Sequence, residues 1–250
     1  MKLYIEEQGS IGNANVTAAT NDIQYPVSNV VNPLLTRLYR TDAATTAEIT
    51  FDLLSAKEVS GVVIGAHNVT SGATEIKVQM NSSNSWGSPA FEIDAVWSAG
   101  FIYVEFPVQT YRYLRVRIVD GANPDLYIQI GRIWVGKVYA TPGISYSIIN
   151  DYETTSVKTK SRGGQTWGDK GYLFDRFQVR YPMITIEQRD ELRRLFSIAD
   201  IITPFFIRFD KAGSIYGIQY VTYNQEGLRL TPLGKRDLLT TNQDFEQEVE

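Results

Sequence analysis

The chain has a single histidine, His67, followed directly by Asn68. With no second imidazole, a His-rich metal site is excluded, and any Ser-His-Asp triad would have to use His67. No G-x-S-x-G elbow and no H-E-x-x-H pair occurs. The glycine-rich stretch 161–171, SRGGQTWGDKG, lacks the phosphate-loop pattern: Asp169 precedes Lys170, where it would repel a phosphate, and no Ser or Thr follows the lysine. Glu92 and Asp94 stand at i, i+2, and glycosidases use two carboxylates about 5–9 Å apart. Here the pair reads as a solvated strand edge. His67 follows the apolar run Val62, Val63, Ile64, at a corner where asparagine can bond the turn backbone. The pair therefore reads as a link between loops, with glycan contact as the alternative. The 68–70 stretch NVT matches a glycosylation sequon. No catalytic residue, no metal site and no cofactor is expected.

Strands must position these residues. Ile49, Phe51 and Leu53 alternate with polar neighbours, as do Ile76, Val78 and Met80, and Leu114, Val116 and Ile118. Such alternation puts apolar side chains on one sheet face. Runs at 59–65, 101–106 and 127–135 are apolar on both sides. Turn-rich stretches separate them, so short antiparallel strands in a β-sandwich are expected. The grammar changes near Pro142-Gly143. Beyond it lie the 161–171 loop, a strand at 173–182 and one helix at 185–200. Thr185 and Gln188 form a capping-box pair, and Leu192, Leu195, Phe196 and Ala199 form an apolar stripe. Strands are expected at 205–209, 215–223, 228–230 and 245–249. The predicted fold is mainly β: an N-terminal jelly-roll sandwich at 1–140, a linker at 141–160, and a C-terminal α+β domain at 161–250 with one helix packed on a sheet.

The composition bounds the function classes. A net charge of −4 argues against nucleic-acid binding. The chain has no cysteine, which excludes disulfides and thiolate metal sites. No apolar run approaches the roughly 18 residues of a membrane helix, and the first residues, with Glu6 and Glu7, do not read as a signal peptide. A soluble chain made in the cytoplasm is expected, without membrane insertion.

Residues 17–53 carry Tyr25, Pro26, Ser28, Asn29, Tyr39, Thr41, Ile49, Phe51, Asp52 and Leu53 in an order that resembles the opening of discoidin domains, which belong to the galactose-binding-like superfamily. The resemblance runs over roughly residues 10–138 and closes on IQIGRIWVG. Tyr39 stands where the family has tryptophan. Asn32 stands where carbohydrate-binding relatives often carry an acidic calcium ligand, which argues against a calcium site. The resemblance implies a jelly roll whose loops at one end bind glycans or lipids. The candidates are Arg37, Arg40, His67, Asn68, Trp86 and Asn123.

The C-terminal pattern is similar to structural proteins of long-tailed bacteriophages. That resemblance implies a virion protein of the tail tip or baseplate, assembled in host cytoplasm as a homo-oligomeric ring with other tail proteins. The 161–171 loop is then the candidate segment to order on contact with a neighbour. The alternative is a carbohydrate-binding adhesin that recognises bacterial surface glycans.

Overall fold

The computed structural model describes residues 1–5, 15–141, 148–209, 217–224, 230–232 and 239–248. Pro142-Gly143, the expected strand starts at Ile215 and Leu228, the strand end at Val249, and Glu6 and Glu7 lie outside them. The fold is mainly β and divides into two compact units: residues 4–139, and residues 140–249 together with 1–3. The chain begins with β1 (Lys2–Tyr4).

The first unit is the β-sandwich. Its strands are β2 (Val16–Ala18), β3 (Tyr39–Arg40), β4 (Thr46–His67), β5 (Glu75–Asn81), β6 (Phe91–Asp94), β7 (Ile102–Val119) and β8 (Gln129–Gly136). They pair antiparallel in the order β3-β8-β4-β7-β5-β6, with β2 also on β4. The expected alternation is present: Ile49, Phe51, Ile76, Val78, Met80, Leu114, Val116 and Ile118 all enter one core.

The short strands expected at 49–53 and 59–65 are one 22-residue strand, and those at 101–106 and 114–118 are one of 18 residues. The stretch between them is a bend within the strand. Register slips between Asp52 and Lys57, and Leu54 takes a left-handed φ of 66° while its N–H bonds Asp52. A bend of this kind turns one ladder into two layers without breaking it. Burying each large core side chain contributes about 1.5–3 kcal/mol.

The second unit is α+β. Its remaining elements are β9 (Tyr139–Ala140), β10 (Ile148–Thr154), β11 (Val157–Lys160), β12 (Thr166–Asp169), β13 (Leu173–Ile184), α1 (Ile186–Ala199), β14 (Phe205–Arg208), β15 (Ile218–Tyr223), β16 (Leu230–Pro232) and β17 (Leu239–Gln247). The eight-stranded sheet runs β10-β13-β17-β15-β14-β1-β9, with β16 on β17. Thr185 caps α1 in a complete capping box with Gln188. Leu192, Leu195 and Ala199 are buried, and Phe196 meets Tyr223 of β15 at 4.9 Å between ring centres.

Two stretches differ from their sequence readings. The described part of 141–160, read as linker, carries β10 and β11. The 161–171 stretch, read as a flexible loop, is the turn and second strand of a hairpin in which β11 pairs with β12. The physical reason is the same in both: Thr154, Thr155 and Ser156 satisfy backbone donors with hydroxyls, and Gly164 at φ 84° closes the turn.

Candidate functional site

The loop after β4 ties together one end of the sandwich. Asn68 Nδ2 donates to Asp125 Oδ2 at 2.9 Å and to the Tyr127 carbonyl at 3.0 Å, and Asn68 Oδ1 accepts from the Gln129 amide at 2.7 Å. Asn123 Nδ2 donates to the Asn68 carbonyl at 3.0 Å and to Asp120 at 3.1 Å. His67 Nε2 meets the Ser98 carbonyl at 3.1 Å, which makes that nitrogen the N–H donor. Trp97 Nε1 donates to the Val69 carbonyl at 2.9 Å. Burial holds the proton affinity of His67 below the usual imidazole value, and the Ser98 hydrogen bond opposes this. Residues 67–70 thus pin the 97–98 and 120–129 loops, the linking role expected for His67-Asn68. Asn68 and Asn123 spend their amides on this internal network.

Arg40 is positioned differently. Tyr39 and His67 both pair with Ile130, so these three form one row across β3, β8 and β4. Arg40 pairs with Gln129 in the next row. Side chains alternate along a strand, so adjacent rows face opposite ways. Tyr39 accordingly points inward, fully buried, and its hydroxyl donates to the Thr20 carbonyl at 2.8 Å. Burial pushes the Tyr39 hydroxyl up to about 12.

Arg40 lies between two rings, with its guanidinium carbon 4.2 Å from the Tyr25 centroid and 4.1 Å from that of Tyr127. Its Nη2 donates to Gln129 Oε1 at 3.0 Å. Arg40 makes no ion pair among the described residues, and its Nε is buried without a hydrogen-bond partner. Ile23 and Leu126, next to the two tyrosines in sequence, are exposed, and Leu126 has a left-handed φ of 61°.

The other candidates do not join this stack. Arg37 is exposed in the turn closed by its amide on the Leu34 carbonyl, 3.0 Å away. Trp86 follows the far end of β5: Asn81 pairs with Tyr113, whereas Glu75 pairs with Val119 beside Asp120. Arg115 covers the Trp86 ring at 4.8 Å, and Trp86 Nε1 donates to Asn84. Glu92 accepts from Lys77 Nζ at 2.8 Å, and Asp94 lies 3.9 Å from the same nitrogen. These two carboxylates pair with Lys77 at the edge strand. Among the described residues no group of three acidic or His side chains could hold a metal ion.

Tyr127 and Gln129 were not singled out from the sequence. The available signal was a tyrosine beside the DGANPD turn, in register with Arg40 only once β3 is paired with β8.

No protein-family model matches the chain, and no curated protein does. Solved structures do align with part of it. A fucose binding module of Streptococcus pneumoniae is 15% identical, with 51% of this chain and 94% of that one covered and a TM-score of 0.40. The lectin domain of lectinolysin, complexed with Lewis B antigen, is 14% identical over 53% of this chain and 99% of its own, with a TM-score of 0.42. The family 32 carbohydrate-binding module of NanJ from Clostridium perfringens, in complex with galactose, is 15% identical over 56% and 100%, with a TM-score of 0.41.

Proposed function

We propose that the sandwich is a non-catalytic glycan-binding module whose contact surface is the Tyr25–Arg40–Tyr127 stack. The observation that carries this reading is a guanidinium held between two tyrosine rings with no carboxylate, among the described residues, to neutralise it. Stacking on aromatic rings fixes the guanidinium plane, so its donors are pre-organised for an incoming acceptor. Sugars offer hydroxyl acceptors and apolar C–H faces, and the exposed Ile23 and Leu126 supply apolar surface beside the donors. The internal network around Asn68 and Asp120 keeps the supporting loops rigid, which lowers the ordering cost of binding. The tail-tip reading rests on the sequence pattern alone, and neither the fold nor the structural likenesses add to it.

The test is a glycan array followed by calorimetric titration of each hit. Arg40→Lys and Tyr127→Ala should each weaken binding at least about tenfold, whereas Trp86→Ala should leave it unchanged. No binding to any glycan, or binding indifferent to both stack variants, would refute the reading.

A further inference from the structure

Among the described residues the hairpin of β11 and β12 has no partner on either face. Every residue of both strands is exposed, with Val157 at 61% and Trp167 at 65%. A lone two-stranded hairpin is marginal in water, yet this one is well specified. Ser161 N donates to the Gln165 carbonyl at 2.8 Å, and Gly164 N to the Ser161 carbonyl at 3.0 Å. At its base the Ser156 and Thr155 hydroxyls accept from the amides of Gly171 and Tyr172 at 2.9 and 3.0 Å. It continues β10 and β13 past Thr154 and Leu173 with a one-residue slip, reaching Val157 opposite Asp169. The arm therefore projects from the sheet edge and cannot lie on the sheet it grows from.

Alternation gives the arm two unlike faces. Val157, Thr159, Trp167 and Asp169 share one, with Thr159 directly opposite Trp167 and Val157 opposite Asp169, and Lys158 and Lys160 share the other. With Arg162 and Lys170 the arm carries four cations, against Asp169 alone. None of these four cations forms an ion pair among the described residues, and Trp167 has neither a ring contact nor a hydrogen bond.

A surface of opposite sign lies in the same unit. On the sheet face away from Phe177, Tyr223 and Phe245 stand Asp151 and Glu153 of β10 and Asp244 and Glu246 of β17. Arg176 between them reaches Glu153 at 3.2 Å and Asp244 at 3.8 Å, and Arg180 of β13 stands exposed on the same face, so four carboxylates there face two guanidinium groups. Burial, then the nearby Glu248 and Glu153, holds the Glu246 carboxyl above its usual range.

We propose that residues 155–172 are a docking arm whose lysine face seats on the acidic sheet face of a second copy of this chain, with the lysines meeting the carboxylates. Donor and acceptor surfaces differ, so the contact is head-to-tail and builds a ring or an open chain. The inference is independent of the glycan reading, because it uses the other unit and its test contains no glycan.

The experiment is analytical ultracentrifugation of the full chain from about 1 to 100 µM at low and high salt, since exposed charge contacts weaken with ionic strength. Wild type should self-associate, at least about tenfold more weakly at high salt. K158E/K160E alone and D151K/E153K alone should be monomeric, and an equimolar mixture of the two should assemble again. Trp167→Ser, on the face turned away from the lysines, should leave association unchanged. A wild type that stays monomeric at 100 µM, association indifferent to the charge reversals, or reversals that fail to complement each other would overturn the proposal. So would a monomer whose arm is protected only when anionic vesicles are added, since that result assigns the arm to a membrane surface.

Discussion

Asp120, fully buried, accepts from both the amide and the hydroxyl of Thr70, at 2.8 and 2.9 Å. With the Asn123 amide as a third donor, the carboxylate binds the end of β7 to the loop after β4. Hydrogen bonds to a charged group contribute about 1.5–3 kcal/mol each, and an orphaned buried donor costs about 1–3 kcal/mol. Asp120→Ala should therefore destabilise the sandwich by about 3 kcal/mol or more, measured by urea unfolding. Stability within about 0.5 kcal/mol of wild type would show that the network is redundant.

Gly131 is fixed by close approach. A Cβ there would stand 2.3 Å from the Leu35 carbonyl oxygen and 2.6 Å from the Ala66 Cβ. Backbone cannot retreat as a flexible side chain can, so Gly131→Ala should cost about 1–3 kcal/mol through overpacking. The loop containing Leu35 crosses β8 at this point, and amide exchange should accelerate first in residues 33–37. Wild-type exchange rates there would contradict the packing argument.

Leu126 is an exposed leucine with a left-handed backbone, a combination that costs about 1–2 kcal/mol. Strain of this kind persists where the surroundings impose it, often at ligand sites. Asparagine tolerates the conformation, so Leu126→Asn should raise stability by about 0.5–1 kcal/mol while weakening glycan binding. A variant that is both more stable and binds as well as wild type would remove Leu126 from the contact surface.

The sequence discloses more of the fold than of the site. Period-2 runs such as Ile76, Val78 and Met80 are read directly because one face is buried, and the Thr185–Gln188 box is a local interaction three residues apart. The merging of 49–53 with 59–65 is not visible, because Leu54 adopts a left-handed bend that no glycine or asparagine announces. The same limit applies to the stack. Tyr25, Arg40 and Tyr127 are separated by up to 102 residues, and only the pairing of β3 with β8 brings them together. His67-Asn68 was legible as a corner because asparagine signals a turn locally. Trp86 was not separable from the other candidates, since only its place at the far end of β5 sets it apart.

Asp52 and Arg112 form a bidentate pair, with Arg112 Nε and Nη2 each 2.8 Å from a carboxylate oxygen. The hydrogen bond from Arg112 is the main reason the Asp52 carboxyl sits below its usual value. A depressed carboxyl contributes stability above the unfolded value of about 3.9. That contribution is lost as pH falls through the lower folded value. Asp52→Asn should therefore narrow its stability gap to wild type in acid below about pH 4 and show a constant gap at neutral pH. The pair is partly exposed, so 0.5 M salt should shrink the neutral-pH gap. A gap that is the same at pH 2 and pH 7 would place the effect in the bend at Leu54 rather than in the charge.

His67 gives the opposite kind of titration from Glu246. Burial lowers the imidazole, so the folded state resists protonation and the unfolded chain binds the proton more readily. Stability from this group is fully present above the unfolded value of about 6.5. It declines as pH falls from there to the folded value. Glu246 is raised, first by burial, so its contribution is lost as pH rises through its folded value. His67→Gln keeps a donor for the Ser98 carbonyl and cannot titrate, and Glu246 is common to both proteins and cancels. The stability of wild type relative to His67→Gln should be flat above about pH 7 and fall as pH drops below the unfolded value. The chain has one histidine, so its ring protons give a single titrating set by NMR. A midpoint at or above 6.5 would mean that the ring is charged at the corner, and the neutral link between the 67–70 and 97–98 loops would have to be abandoned.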